Sequence, residues 1–267
     1  MRAHLIIAAA ALSIGFAANA LAADEAPPAT GNVFQAAEPK SFSWSFNGPF
    51  GTFDRAALQR GFQVYKEICS NCHAMKYVAW RDLNDPGGPG FTAPEVKALA
   101  AQVQYNDGPN DKGEMYDRPG LPSDHFKSPF PNDQAARATN GGALPPDLSL
   151  IVLAREDGLN YVRSLLTGFD EKPPAGVKVP DGQYYNPYFP GGMISMPPPL
   201  QDGGVTYADG TKATKDQMAA DVVTFLQWTA DPTLEARHNM GLKVVVFLLV
   251  LIGLFYAVKR KVWAGVH

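Results

Sequence analysis

The sequence predicts a mainly α-helical domain with long loops rich in proline and glycine, followed by one C-terminal transmembrane helix. The chain contains 23 prolines and 25 glycines. They are concentrated between residues 84 and 210, which indicates long loops more than many regular elements. Outside these loops, apolar residues recur at spacings of three and four, as on one face of a helix. Near the C-terminus, an uninterrupted apolar run ends in a basic cluster, which is typical of a membrane span.

The N-terminal segment has the pattern of a secretory signal peptide over residues 1–22. It begins with Met1-Arg2, continues with an apolar stretch from residue 5 to 18, and ends in small residues before Ala23. A transmembrane helix is the alternative, but Ala and Gly dilute the run and no basic residues follow it. Residues 23–42 are rich in Ala, Pro and Glu and are predicted to form a flexible leader.

Residues 43–236 are predicted to form one domain with several short helices. Asp54 can cap a helix that reaches about Ile68 and carries Leu58, Phe62 and Tyr65 on one face. Shorter helices are predicted over 94–105 and 156–167. The pattern Thr214-x-x-Gln217 is a capping box that opens a helix reaching Trp228, with Met218, Val222 and Phe225 on its apolar stripe.

The C-terminal apolar run, Val244–Val258, is followed directly by Lys259-Arg260-Lys261. Extended back to residue 240 it reaches the length that a bilayer requires, so residues 240–259 are predicted to span a membrane. A buried core helix is the alternative, but such a helix would be amphipathic. The basic cluster predicts that residues 260–267 form a cytoplasmic tail, which agrees with export of the domain by the signal peptide.

The net charge and the cysteines limit the possible functions. The formal charge of -3 is close to neutral, so nothing in the composition indicates a nucleic-acid partner. The chain has two cysteines, and both lie in one motif, Cys69-Ser70-Asn71-Cys72-His73, so none remains for a disulfide framework.

The motif Cys-x-x-Cys-His predicts one covalently attached haem c. Cys69 and Cys72 can add to the two haem vinyl groups, and His73 is then placed to bind the iron as an axial ligand. A thioredoxin-like redox pair and half of a zinc site are the alternatives. The first requires no histidine after the pair, and the second requires further ligands.

The group on the second face of the iron decides between pure electron transfer and haem enzyme chemistry. Among the histidines, His125 and His238 are interpreted as solvated surface residues. Met193 and Met196 remain as candidates for the axial thioether. Met196 is preferred because the rigid segment Pro197-Pro198-Pro199 follows it directly. An open face would instead favour a haem enzyme.

Several longer motifs resemble the cytochrome c1 family, the haem c subunits of cytochrome bc1 (ubiquinol-cytochrome c reductase) complexes. The similarity is continuous from about residue 44 to residue 263. The matching stretches are Cys69–Met75 with Tyr77 and Arg81, Gly142–Ser149, Tyr161–Gly168, Asn186–Gly192, Met196–Leu200 and Asp209–Thr211.

The resemblance implies a class I cytochrome c-like helical domain and a role for six residues. Cys69 and Cys72 would form the thioethers, and His73 and Met196 would be the axial ligands of the iron. Arg137 matches an arginine that the family places at a haem propionate, and Pro146 would line the haem pocket. The extra cysteine pair that some bacterial relatives use as a disulfide is missing from this sequence.

The resemblance also implies a function and a location. The chain would be an electron carrier and no enzyme by itself, working with cytochrome b, the Rieske iron-sulfur protein and an acceptor cytochrome c or c2. It would be a single-pass protein of the bacterial inner membrane, with the haem domain in the periplasm and the C-terminus in the cytoplasm. A stand-alone membrane-anchored shuttle cytochrome is the alternative.

A run of acidic residues can be interpreted in two ways. It could steer a basic cytochrome partner, or it could be an ordinary solvated loop. The residues are Asp107, Asp111, Glu114, Asp117 and Asp124.

Overall fold

The computed structural model describes residues 35–265. The predicted signal peptide, the leader up to residue 34 and the terminal His267 lie outside this range. Within it the fold is mainly α-helical, as predicted. The helices are α1 (Arg55–Glu67), α2 (Ala93–Ala100), α3 (Asp133–Thr139), α4 (Gly158–Thr167), α5 (Lys215–Ala230) and α6 (Leu234–Trp263).

Two small antiparallel hairpins and short 3-10 turns complete the described part of the chain. Strands β1 (Gln104–Asp107) and β2 (Tyr116–Pro119) pair with Gln104 opposite Pro119, and strands β3 (Tyr184–Tyr185) and β4 (Met193–Ile194) pair with Tyr185 opposite Met193. The 3-10 turns are Cys69–Asn71, Trp80–Asn84 and Gly168–Asp170. Strands β2, β3 and β4 lie within the predicted loops, whereas β1 begins inside the helix predicted over 94–105.

Helices α1 and α5 form the centre of the domain. The Asp54 carboxylate accepts hydrogen bonds from the backbone N–H groups of Ala56 and Ala57, which confirms the predicted start of α1. At Gly61 the two helices come so close that an added Cβ would lie 2.1 Å from the carbonyl oxygen of Asp221. Glycine is therefore required at this crossing.

Helix α5 is almost completely buried along its middle, and its predicted apolar stripe belongs to the core. Thr214 caps it, because its hydroxyl accepts a hydrogen bond from the N–H of Gln217 at 3.2 Å. The second half of the predicted capping box is not formed. The Gln217 amide instead donates to the buried carboxylate of Asp221, one turn later in the helix.

Helix α2 is shorter than predicted. It ends at Ala100, and Tyr105 belongs to strand β1 instead. The N–H of Gly120 donates to the carbonyl of Val103 at 2.8 Å, so the chain pairs with the next strand shortly after the helix ends. Pairing across the hairpin therefore overrides the helical pattern of 94–105.

The contacts of the domain begin before residue 43, where the predicted leader ends. The N–H of Lys40 donates to the Ser164 hydroxyl at 2.9 Å, and the N–H of Phe42 donates to the Asn160 side chain at 3.2 Å. The Trp44 indole donates to the same Asn160 oxygen at 3.1 Å. Residues 40–44 are thus attached to helix α4 at Asn160 and Ser164.

Helix α6 has the length and composition of the predicted membrane span. Its 30 residues correspond to about 45 Å at the rise of an α-helix. Its most apolar stretch has a mean hydropathy of 2.5 and is 0% buried. This exposure contradicts the alternative of a buried core helix.

Candidate functional site: a haem-sized cavity at the Cys-x-x-Cys-His motif

The Cys-x-x-Cys-His motif forms a tight turn at the C-terminal end of α1. The N–H groups of Cys72 and His73 both donate to the carbonyl of Cys69, at 3.1 and 2.9 Å. The two intervening residues terminate the helix, because the Ser70 hydroxyl donates to the Lys66 carbonyl and the Asn71 amide donates to the Glu67 carbonyl. These carbonyls lack helical partners, so the motif itself satisfies them.

The His73 ring has a defined hydrogen-bond partner. Its Nδ1 lies 2.8 Å from the carbonyl oxygen of Pro146. A carbonyl can only accept, so Nδ1 carries the proton and Nε2 keeps its lone pair for a metal ion. Burial lowers the pKa of His73, which keeps the imidazole neutral. Pro146 lines the cavity beside His73 and orients the His73 ring, and its predicted role at a haem stays a prediction.

The residues after Pro146 hold the segment that follows His73. The N–H of Lys76 donates to the Asp147 carboxylate at 3.0 Å, and the N–H of Leu148 donates to the Ala74 carbonyl at 2.8 Å. The fully buried hydroxyl of Ser149 accepts from the N–H of Tyr77 at 3.2 Å. The stretch Pro146–Ser149 therefore fixes the backbone around the histidine.

A cavity of about 490 Å³ opens beside this turn. This volume is within the range of pockets that hold small ligands and cofactors. Cys69, Cys72 and His73 all contribute to its wall. Most of the remaining wall is apolar and comes from α4, α5 and the loops around them, including Leu148, Ile151, Val162, Leu165, Val222 and Leu226.

Both candidate methionines also line this cavity. They are carried there by a loop that closes on itself: the N–H of Asn186 donates to the Gly192 carbonyl at 2.9 Å. Asn186 is fully buried, and its amide also donates to the Leu165 carbonyl of α4 at 2.8 Å. Met193 lies on strand β4, and Met196 lies in the bend before the proline run. The geometry brings both to the cavity, and the preference for Met196 stays a prediction.

Arg137 is not brought to the cavity wall. It lies exposed on α3, and its Nη1 donates to the Gly142 carbonyl at 3.1 Å. Arg155 and Tyr161 line the cavity instead, and the sequence analysis missed both. Arg155 is exposed, so a cation stands at the edge of an otherwise apolar wall. The role of Arg137 at a propionate stays a prediction, with Arg155 as the cation that the structure places at the cavity.

The two alternatives for the cysteine pair fit the structure poorly. Redox-active pairs lie at helix N-termini, where the thiol pKa is lowered, whereas this pair follows the C-terminal end of α1. Burial raises the pKa of the Cys69 thiol to about 12. Within residues 35–265, no group of three or more His, Cys, Asp or Glu side chains could hold a metal ion such as zinc.

The residues present do fit a covalently attached haem. The cavity is largely apolar, two thiols and a neutral imidazole lie on its wall, and Nε2 of that imidazole is left without a proton. Thioether sulfurs are available on the same wall from Met193 and Met196. Imidazole and thioether together are the iron ligands of electron-transfer cytochromes.

Comparisons with known proteins show which family the chain resembles. The model of the Cytochrome C1 family matches residues 44–266. "Cytochrome c1" of Rhodospirillum rubrum is 50% identical, over 84% of this chain and 86% of that protein. "Cytochrome c1, heme protein, mitochondrial" of Saccharomyces cerevisiae is 52% identical, over 85% of this chain and 72% of that protein.

A longer relative matches nearly the whole chain. "Cytochrome b/c1" of Bradyrhizobium diazoefficiens is 50% identical over 98% of this chain, which spans 39% of the length of that protein.

Proposed function

Because the chain belongs to the cytochrome c1 family, we propose that it is the haem-bearing electron-transfer subunit of a cytochrome bc1 complex. It accepts one electron from the Rieske iron-sulfur protein and passes it to a cytochrome c or c2. The observation that carries the proposal is the meeting of Cys69, Cys72, a neutral His73 and a methionine pair at one apolar cavity.

The bound haem supplies an iron centre that takes up and releases single electrons. Cys69 and Cys72 would hold it covalently. The Pro146 carbonyl keeps the proton on Nδ1 of His73, which leaves Nε2 free to bind the iron. Met196 would supply a thioether, which favours the ferrous state over a second imidazole.

The rest of the cavity wall is largely apolar. Leu148, Val222 and Leu226 make the cavity apolar, which limits solvent around the charged centre. No described residue needs to give or take a proton for electron transfer. The chain is therefore an electron carrier, and the oxidation of quinol belongs to the complex.

The proposed location rests on α6, on the predicted signal peptide and on the basic cluster that follows the apolar run. α6 anchors the domain in the inner membrane of a bacterium, with the haem domain in the periplasm and the basic end at residues 259–261 in the cytoplasm. Cytochrome b would then be its neighbour in the membrane.

Docking of a basic acceptor at the acidic loop stays a prediction, and ion pairs within the loop reduce the number of acidic residues that we propose for it. The Arg118 guanidinium donates to the carboxylates of both Asp107 and Asp124. Both carboxylates are thus held in ion pairs, and the single positive charge of Arg118 offsets one of their two negative charges. Asp111, Glu114 and Asp117 are the acidic residues left to steer a partner.

Purification in mild detergent tests the proposal. We expect the chain to migrate with a b-type cytochrome and an iron-sulfur protein, and its pigment to stay on the polypeptide after acid-acetone extraction. Extraction of the pigment would reject covalent attachment. Migration of the pigmented chain alone would instead identify a stand-alone shuttle cytochrome.

A further inference from the structure

Helix α6 begins inside the haem-binding domain, with no linker before it. Only Asp231, Pro232 and Thr233 separate it from α5. The first residue of α6, Leu234, is 6% exposed and belongs to the hydrophobic core of the domain. Pro232 has a fixed φ, which further limits motion at this connection.

Glu235, in the first turn of α6, binds the domain through both carboxylate oxygens. Oε1 accepts a hydrogen bond from the backbone N–H of Phe53 at 2.8 Å, and Oε2 accepts from Nη2 of Arg55 at 2.6 Å. The Glu235 side chain is only 17% exposed. Nη1 of Arg55 also donates to the Gly87 carbonyl, so a second loop joins the same cluster.

His238 adds a contact on the same face of α6, since it lies three residues after Glu235. Its Nδ1 is 3.0 Å from the carbonyl oxygen of Gly51. Gly51 is itself buried, and an added Cβ would lie 2.2 Å from the carbonyl carbon of Phe46. The loop that receives α6 is therefore tightly packed against the domain.

We propose that Glu235, paired with Arg55, fixes the orientation of the haem-binding domain relative to the membrane, so that the domain and its anchor move as one rigid body. This inference rests on the proposed role of α6 as the anchor. Glu235 is a positioning residue, because it does not line the haem cavity. Redox partners then meet a haem site whose tilt above the membrane is set by this chain itself.

The strength of the contact supports this role. Hydrogen bonds to a charged group are stronger than neutral ones, and shielding from solvent limits their screening. Loss of the Glu235 carboxylate would leave the N–H of Phe53 and the guanidinium of Arg55 without this acceptor. The first turns of α6 would then keep Leu234 and His238 as contacts with the domain, together with the ion pair between Arg237 and Asp231 of the connection.

The test measures a distance between the domain and the anchor in the full-length, haem-loaded chain in lipid nanodiscs. Nitroxide labels are placed at Lys97→Cys on α2 and Val250→Cys on α6, both of which are exposed. The haem is kept reduced, so that its low-spin ferrous iron is diamagnetic. We expect a single narrow distance peak by pulsed EPR, and loss of this peak in a broad distribution for Glu235→Ala.

Matched variants separate the loss of the clamp, which is the contact of Glu235 with Phe53 and Arg55, from general effects of a substitution. Glu235→Gln should broaden the peak less, because its amide oxygen can still accept from Phe53. As the control, Glu171→Ala removes an exposed ion pair with Lys40, which is distant in sequence from Glu235. This variant should leave the peak unchanged. If Glu235→Ala fails to bind haem, Arg55→Gln takes its place and should also broaden the peak.

Two results would overturn the inference: a broad distribution in the unaltered chain, or a narrow one in Glu235→Ala or Arg55→Gln. The spin-label distance does not depend on how the haem is attached. Acid-acetone extraction of the same samples therefore reports on the proposed function separately.

Discussion

At the scale of single residues, the two methionines on the cavity wall differ in how the chain holds them. Met193 is part of strand β4, where Tyr185 pairs with it, whereas Met196 lies in the bend before three prolines. We expect Met196→Leu to abolish the weak red-edge charge-transfer absorption of Met-ligated ferric haem, because leucine offers no thioether. The absorption spectrum of the oxidised protein checks this.

Met193→Leu is the matched control, since it removes the other sulfur from the same cavity. We expect it to keep the absorption band. If the band persists in Met196→Leu and is lost in Met193→Leu, the axial ligand is Met193 on strand β4.

The residues that could be predicted are those whose chemistry is local in sequence. Cys69, Cys72 and His73 lie within five consecutive residues, so one motif indicates their joint use. Arg155 and Tyr161 reach the cavity only because the chain folds back along α4, and no spacing relates them to His73. Arginine and tyrosine are also common on solvated helix surfaces, so neither carries a signal of its own.

At the scale of elements, the contact between α1 and α5 depends on Gly61. A Cβ there would lie 2.1 Å from the Asp221 carbonyl oxygen and 2.7 Å from Cβ of Phe225. We expect Gly61→Ala to lower the free energy of unfolding by about 1–3 kcal/mol, because backbone atoms must move apart. Urea unfolding followed by circular dichroism measures this change.

Gly241→Ala is the control for helix propensity, since a Cβ at Gly241 meets nothing within 4 Å. We expect no loss of stability there. Equal stabilities of the two alanine variants would show that the crossing tolerates a methyl group.

The β1–β2 hairpin should respond to acid because of Arg118. Its guanidinium donates to the Asp107 and Asp124 carboxylates and holds the pKa of each below the usual 3.8. A carboxylate with a lowered pKa stabilises the folded state above its unfolded-state pKa, and this stabilisation is lost as the pH falls through the folded-state pKa. We therefore expect the hairpin to open below pH 3.8.

Amide hydrogen exchange, corrected for intrinsic rates, checks this expectation. Protection of β1 and β2 should fall with pH while that of α1 and α5 remains. In Arg118→Gln the hairpin should already exchange faster at neutral pH. Protection of the strands that does not change across this range would contradict the expected role of Arg118.

Helices with strong local signals were predicted best. Asp54 and Thr214 cap α1 and α5 as expected, because a cap requires only neighbouring residues. The hairpins were missed because their strands are very short and pair across loops. Helix α3 is also short, and its start depends on Asn132, whose side chain caps the N–H of Ala135. Such a pattern is hard to separate from a turn.

At the scale of the whole molecule, ending the chain after the clamp should separate the domain from its membrane anchor. A chain that ends at Asn239 keeps Leu234, Glu235 and His238 but loses the apolar stretch of α6. We expect this variant to stay in solution without detergent and to keep the charge-transfer absorption. Centrifugation of membranes followed by spectroscopy of the supernatant tests it.

The full-length chain is the control and should sediment with the membranes. Sedimentation of the shortened chain with its haem in place would show that another surface of the domain binds the membrane. Loss of the haem from the shortened chain would show that α6 supports the cavity beyond the clamp.

The cysteines of the motif differ in exposure: Cys69 is half-buried, whereas Cys72 is exposed. In the proposed haem-bearing protein, the thioether formed by Cys72 would therefore lie at the protein surface. A redox partner could reach this sulfur without movement of any loop. Turnover would then be paced by diffusional encounter, so that raising solvent viscosity should slow it in proportion.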